Sequence, residues 1–245
     1  MHPSLTQLAH RPWPLPDEAW SWRMEWRQLG FLHHRVAREP LQSRMPAGLE
    51  LETFDGTAWI SIVPFRMADV RWRDTPALPW FSTFPELNVR TYVRHRDRPG
   101  VFFFSLDATN LPFVLGARVL HGIPYVWSRI ELSRTAGVFT MESRRREGPP
   151  ASFQASFAPE GDAFEASPGS FDHWVAERYC LYAHHRGRLW RTEVHHAPWK
   201  LHKARFEVRT NDLARAAGIQ VLDAQPVAHF SEGTQVVAFA PVAVG

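Results

Sequence analysis

Through much of the chain, apolar residues recur at every second position in short runs broken by Gly, Pro, Asp and Asn. That period places alternate side chains on opposite faces and is the signature of strands with at least one buried face. It predicts strands over 25–36, 49–54, 58–65, 86–94, 101–106, 125–132, 138–144, 190–196 and 203–210. Asp55-Gly56 supplies the positive φ angles of a tight hairpin between 49–54 and 58–65. In 86–94, Leu87, Val89, Thr91 and Val93 share one face. The apolar run 101–106 suits a strand buried on both sides, antiparallel to 86–94 across Arg98-Pro99-Gly100. Further hairpins are expected around Ala136-Gly137 and, within 228–239, around Glu232-Gly233.

Helical spacing is confined to 38–44, ended by Pro46; 111–120, stopped by Gly122 and Pro124; 170–183, with Ser170 as N-cap; and 211–217, capped by Asn211 and closed by Gly218. The Gly- and Pro-punctuated stretch 147–170 reads as surface connections with an edge strand between them. Many antiparallel strands with a few short helices make an α+β protein built on a barrel-like sheet. Such sheets often enclose a ligand cavity. No linker or internal repeat marks a boundary, so a single domain is expected over 1–245, with about the first 20 residues as an extension.

Composition narrows the classes. With 245 residues, 44% hydrophobic and 22% charged, a packed core is expected rather than disorder. A net charge of only +3 does not call for a nucleic-acid partner. Arg71-Trp72-Arg73, Arg94-His95-Arg96 and Arg144-Arg145-Arg146 are accordingly read as strand ends held by nearby carboxylates. One cysteine, Cys180, excludes an intrachain disulfide and fits a reducing compartment; in its apolar-aromatic helix it reads as a small buried hydrophobe. No signal sequence and no bilayer-spanning apolar run is evident, so a cytoplasmic protein without a membrane partner is expected. Only two of the 28 basic residues are lysines, Lys200 and Lys203, which restricts any chemistry that needs an amine.

The pairs His33-His34, His184-His185 and His195-His196 point their members to opposite faces of a strand, so no metal site is expected from them; each should bury one ring and expose the other. No nucleophile elbow or phosphate loop is present. The remaining chemical signal is a set of polar residues within otherwise apolar strands and helices: Arg27, Glu86, Asn88, Arg90, Asp107, Arg118 and Tyr125. If it faces the interior, Glu86 needs a partner or a raised pKa, because an unpaired buried carboxylate is costly. Trp13, Trp20, Trp22 and Trp26 form either an exposed interaction patch or, for Trp22 and Trp26, the buried face of a short helix.

Met45-Pro46-Ala47-Gly48-Leu49-Glu50, Phe54-Asp55-Gly56, Gly122-Ile123-Pro124-Tyr125, Glu177-Arg178-Tyr179 and Glu193-Val194-His195-His196-Ala197-Pro198-Trp199 together resemble the YqjF-like family of uncharacterised bacterial proteins. The most specific piece is Glu86-Leu87-Asn88-Val89-Arg90-Thr91-Tyr92-Val93, and the likeness runs over about 22–241. It implies the fold of acetoacetate decarboxylase with an interior site. Arg27 then falls where the decarboxylase has an arginine, Glu86 matches its active-site glutamate, and Tyr125 stands where its Schiff-base lysine follows a proline. A phenol cannot form that imine, so decarboxylation is not expected. The resemblance implies a cofactor-free protein that binds a small anionic or carbonyl-bearing molecule through Arg27, Glu86, Tyr125 and Arg118. The alternative is a lysine-independent lyase, isomerase or hydrolase, with Glu86 and Tyr125 as acid and base and Arg27 stabilising an oxyanion.

Overall fold

The computed structural model describes residues 2–244. In chain order the elements are β1 (Trp22–Val36), α1 (Arg38–Gln42), β2 (Glu50–Leu51), β3 (Thr53–Phe54), β4 (Thr57–Trp72), β5 (Phe84–His95), β6 (Arg98–Ala108) and α2 (Leu111–His121). They continue with β7 (Tyr125–Thr135), β8 (Val138–Arg145), β9 (Ser152–Glu165), α3 (Phe171–Ala176), β10 (Cys180–His185), β11 (Arg188–His196), β12 (Lys200–Asn211), α4 (Leu213–Ala216), β13 (Val227–Ala238) and β14 (Val242–Ala243).

All the strands belong to one sheet whose pairings trace two closed circuits. One runs β13–β1–β4–β5–β6–β10–β11 and returns to β13; the other leaves β6 through β7, β8, β9 and β12 before returning to β13. The shared strands β1, β4 and β5 are therefore covered on both faces. Leu32, Ile60, Ile62, Leu87, Val89, Phe139, Phe157 and Phe230 form a closely packed core in the second circuit. The other faces of β1, β4 and β5 contribute Leu29, Phe31, Val63 and Phe65 to a separate cluster in the first circuit, together with Leu106 of β6 and Tyr125 of β7.

The sheet is mixed rather than antiparallel throughout: β6 pairs in parallel with β7 and with β10. The cause is connectivity. After β6 the chain crosses over through α2, so β7 starts beside β6 in the same direction. α2 ends at the expected Gly122, at φ 62, and its start is capped by Asn110, whose Oδ1 accepts from the Phe113 amide at 3.1 Å.

Three further expectations change. The helix expected over 170–183 stops at Ala176, and Cys180 opens β10. There Gly100 of β6 lies so close that a Cβ would stand 2.6 Å from the Cys180 carbonyl oxygen. Cys180 is still a buried, inert thiol, pushed up to about 12 by desolvation. The stretch 147–170 contains the long strand β9, which lies between β8 and β12 and is no edge. Finally, in place of the hairpin expected within 228–239 there is one continuous strand, Val227–Ala238: Gly233 does not turn the chain but sits opposite Arg27, in a close approach where a Cβ would meet the Trp26 carbonyl at 2.1 Å.

Asp107 alternates with Leu106 and Ala108, which pack into the first-circuit cluster, and is fully buried. The Arg145 guanidinium reaches it from β8 through two bonds, Nε at 2.8 Å and an η nitrogen at 2.9 Å, while Ser128 Oγ donates at 3.0 Å. Removing one partner strands the other charge away from water. Asp107→Ala should cost about 3–5 kcal/mol in urea unfolding, and a loss below about 1 kcal/mol would show that the pair is solvated.

Candidate functional site

β5 carries Glu86, Asn88 and Arg90 at every second position, and the three side chains line one cavity of about 290 Å³ inside the first circuit. The intervening Leu87 and Val89 point to the opposite, packed core. Around the polar ladder the wall is apolar and aromatic, with Trp22 and Trp26 of β1, Phe65 of β4, Phe103 of β6 and Trp199. Tyr125 enters at the start of β7, where the parallel pairing sets it opposite Leu106.

The Tyr125 hydroxyl donates to Glu86 Oε2 at 2.9 Å, and both groups are buried. Desolvation pushes the Glu86 carboxyl up to about 8, the nearby charge of Asp107 adding to it, although hydrogen bonds from Tyr125 and Asn88 pull the other way. Burial, reinforced by Glu86, holds the Tyr125 phenol well above its ordinary value. Near neutral pH the pair is therefore mostly a carboxylic acid beside a neutral phenol, able to donate a proton without carrying charge.

Arg90 differs in kind. Among the described residues no carboxylate lies within ion-pairing distance of it. One η nitrogen donates to the Val175 carbonyl at 3.3 Å, and the guanidinium lies 5.7 Å from the Phe31 ring and 5.9 Å from Tyr92. Arg90 Nε, Asn88 Oδ1 and Trp26 Nε1 are buried without a hydrogen-bond partner. They are three of fourteen such atoms among the described residues, and these three belong to residues lining one apolar cavity.

The other expected site residues lie elsewhere. Arg27 does not reach Glu86: its side chain is 54% exposed and its Nε donates to Glu25 Oε2 at 2.6 Å, because a register shift follows it in β1. Arg118 projects from α2 to the carbonyl of Tyr125 at 2.7 Å and to the Glu147 carboxylate, bracing β7 from outside the cavity. Neither lysine lines the cavity. Lys200 is exposed, and Lys203 Nζ bonds Asp172 at 2.9 Å.

Trp22 and Trp26 lie on a strand rather than a helix and face the cavity; Trp13 is buried between the guanidinium groups of Arg11 and Arg98. Both members of His33-His34 and of His195-His196 are buried, against the expected split, and in β1 the reason is that both faces are covered. Among the described residues no three His, Cys, Asp or Glu side chains gather as a metal site. One arginine of each basic cluster is paired with a carboxylate, Arg71 with Asp69 at 3.1 Å, Arg94 with Glu52 at 2.7 Å and Arg145 with the buried Asp107; among the described residues the other arginines of the clusters have no such pair. Arg90 is the residue that sequence reasoning did not place in the site. Its signal was the alternation with Glu86 and Asn88, which sets it on their face of the strand.

The sheet and its crossover helix define a protein with the acetoacetate-decarboxylase-like fold. Acetoacetate decarboxylase from Legionella pneumophila superimposes with a TM-score of 0.66 at 14% identity, over 97% of this chain and 93% of that one. The enduracididine biosynthesis enzyme MppR complexed with pyruvate gives 0.67 at 15% identity, over 97% and 93%. Within that fold the chain belongs to the DUF2071 family, described as an uncharacterized conserved protein, whose model matches residues 23–235. A relative, the uncharacterized protein YqjF of Bacillus subtilis (strain 168), is 37% identical over 218 residues, covering 89% of this chain and 90% of its own.

Because Glu86 holds its proton more tightly folded than unfolded, the folded state carries the extra proton between about 4.5 and about 8. Stability from this group is fully present below that window and falls as pH rises through it. Glu86→Gln removes the penalty, so its melting temperature relative to the wild type should climb steadily across the window. A difference independent of pH would mean that Glu86 ionises as an ordinary carboxyl.

Proposed function

We propose that the protein binds a small carboxylate-bearing or carbonyl-bearing molecule with an apolar body, in the cavity enclosed by its barrel-like sheet. The observation that carries this reading is Arg90, a guanidinium without a carboxylate partner on the wall of an otherwise apolar cavity. A ligand carboxylate supplies the missing counter-charge, and Arg is the side chain best shaped to hold one through two bonds. Asn88 Oδ1 and Trp26 Nε1 stand ready for a second polar group, while the aromatic wall takes the apolar body. The fold relative MppR has been solved in complex with pyruvate, which shares the carboxylate and carbonyl groups but has no apolar body.

The resemblance to acetoacetate decarboxylase puts Tyr125 at the Schiff-base position, and with both lysines away from the lining no amine is at hand to form an imine there. The reading is therefore of binding without decarboxylation by that route.

One observation favours a second, catalytic reading. A carboxyl at about 8 beside a phenol has the proton affinity suited to general acid–base work near neutrality. A lyase or isomerase acting on the same ligand would use Glu86 to move the proton while Arg90 holds the carboxylate. In that case Glu86→Gln abolishes turnover and leaves binding in place.

Binding is tested by thermal shift with oxo acids, phenolic acids and benzoate. At about 100-fold excess over Kd a fitting acid should raise the melting temperature of the wild type by about 5–10 °C. Arg90→Gln should fold normally, since no ion pair is broken, and should lose the shift. Equal shifts in wild type and variant would remove Arg90 from the site.

A further inference from the structure

The most exposed part of the cavity wall lies along α2. Of the residues lining it, only Pro112 and Leu120 are exposed. With Gly116 they fall at steps of four, so all three share one stripe of the helix. Next to this stripe the cavity is lined by Phe113 and Ala117, and by Phe81 from the connection between β4 and β5. The Phe81 carbonyl is fixed to the start of α2 by Asn110 Nδ2 at 2.9 Å.

Gly116 is out of place by local rules, because glycine in a helix interior costs stability. Conformation does not require it, since its φ is not positive. Packing does not require it either: a Cβ there would meet no heavy atom within 4 Å outside the helix's own backbone. What glycine supplies at this point is free width at the centre of the lip. The helix around it is also unusually apolar outside, with Leu115, Val119 and Leu120 at 49%, 60% and 68% exposure. A small, wholly polar ligand would gain nothing from such a rim.

We infer that Gly116 is the specificity-determining notch of the cavity mouth, and that the ligand is a carboxylate with an extended apolar tail. Its head pairs with Arg90 and its tail leaves across Gly116 between Pro112 and Leu120. The inference rests on the carboxylate reading of Arg90 and adds the shape of the molecule to it.

Two probes separate the steps: benzoate, which ends inside the cavity, and biphenyl-4-carboxylate, whose second ring lies in the notch. The wild type should bind the biphenyl acid more tightly. Gly116→Leu should lose about tenfold or more in affinity for the biphenyl acid, the cost of overpacking one side chain, with benzoate changed less than about twofold. Leu120→Ala, at an exposed position, should weaken only the biphenyl acid, by about threefold. Gly116→Ala should bind both acids and raise the melting temperature by about 2 °C. Unchanged biphenyl binding in Gly116→Leu and Leu120→Ala, or an equal loss of both acids, overturns the notch while leaving the Arg90 reading intact. A wild type that binds benzoate as tightly as the biphenyl acid overturns the tail, and one that binds neither overturns both readings.

Discussion

β5 is buried on both faces, and the rest of the molecule is arranged around that constraint. Over 86–90 this strand, shared by two closed circuits of pairing, has no solvent side on which to place polar groups. There each side chain either packs into the filled core, as Leu87 and Val89 do, or faces the cavity, as Glu86, Asn88 and Arg90 do. Because the alternation is strict, a slip of one residue would drive the acid, the amide and the guanidinium into the packed core. The same alternation fixes both the register and the site.

Within the cavity the acid and the base are kept from neutralising each other. No ion pair links Glu86 to Arg90; Glu86 is held by a phenol and is raised toward its neutral form, whereas a guanidinium at contact distance would have lowered it. The cavity thus retains one positive charge without a counter-charge and one uncharged proton donor. Elsewhere the chain pairs its buried charges closely, Asp107 with Arg145 and Glu193 with Arg11. Arg90 stands apart from that practice, and the proposed ligand role rests on that difference.

Much of this was legible in the sequence. Period-two patterning located most of the strands, turn residues located the β3–β4 and β7–β8 hairpins, and Gly122 with Pro124 marked the end of α2. The failures have physical causes. Tyr179 to Ala183 is apolar on every side, as suits a strand buried on both faces, and such a run reads equally well as helix. Gly233 looks like a turn residue when its role is to let two backbones approach. The parallel pairings of β6 depend on where α2 and α3 return the chain, which no local pattern records. Glu86 and Tyr125 were read as site residues, whereas Arg90 was noted as a polar residue in an apolar strand and left out of the ligand-binding set. Arg27 was chosen by analogy across a distant fold, whereas a shift in the β1 register turns it to solvent; the arginine that lines the cavity lies two residues along from Asn88 on the same strand.

The central claim is that Arg90 receives a carboxylate inside the cavity. Its most direct measurement is a crystal structure with 4-bromobenzoate, in which anomalous scattering locates the bromine independently of the fitted ligand. The account predicts the carboxylate within about 3 Å of the Arg90 guanidinium, the ring against Trp26 and Trp199, and the bromine toward Gly116. Bromine found only outside the cavity, or a ligand in the cavity with its carboxylate turned away from Arg90, would contradict it.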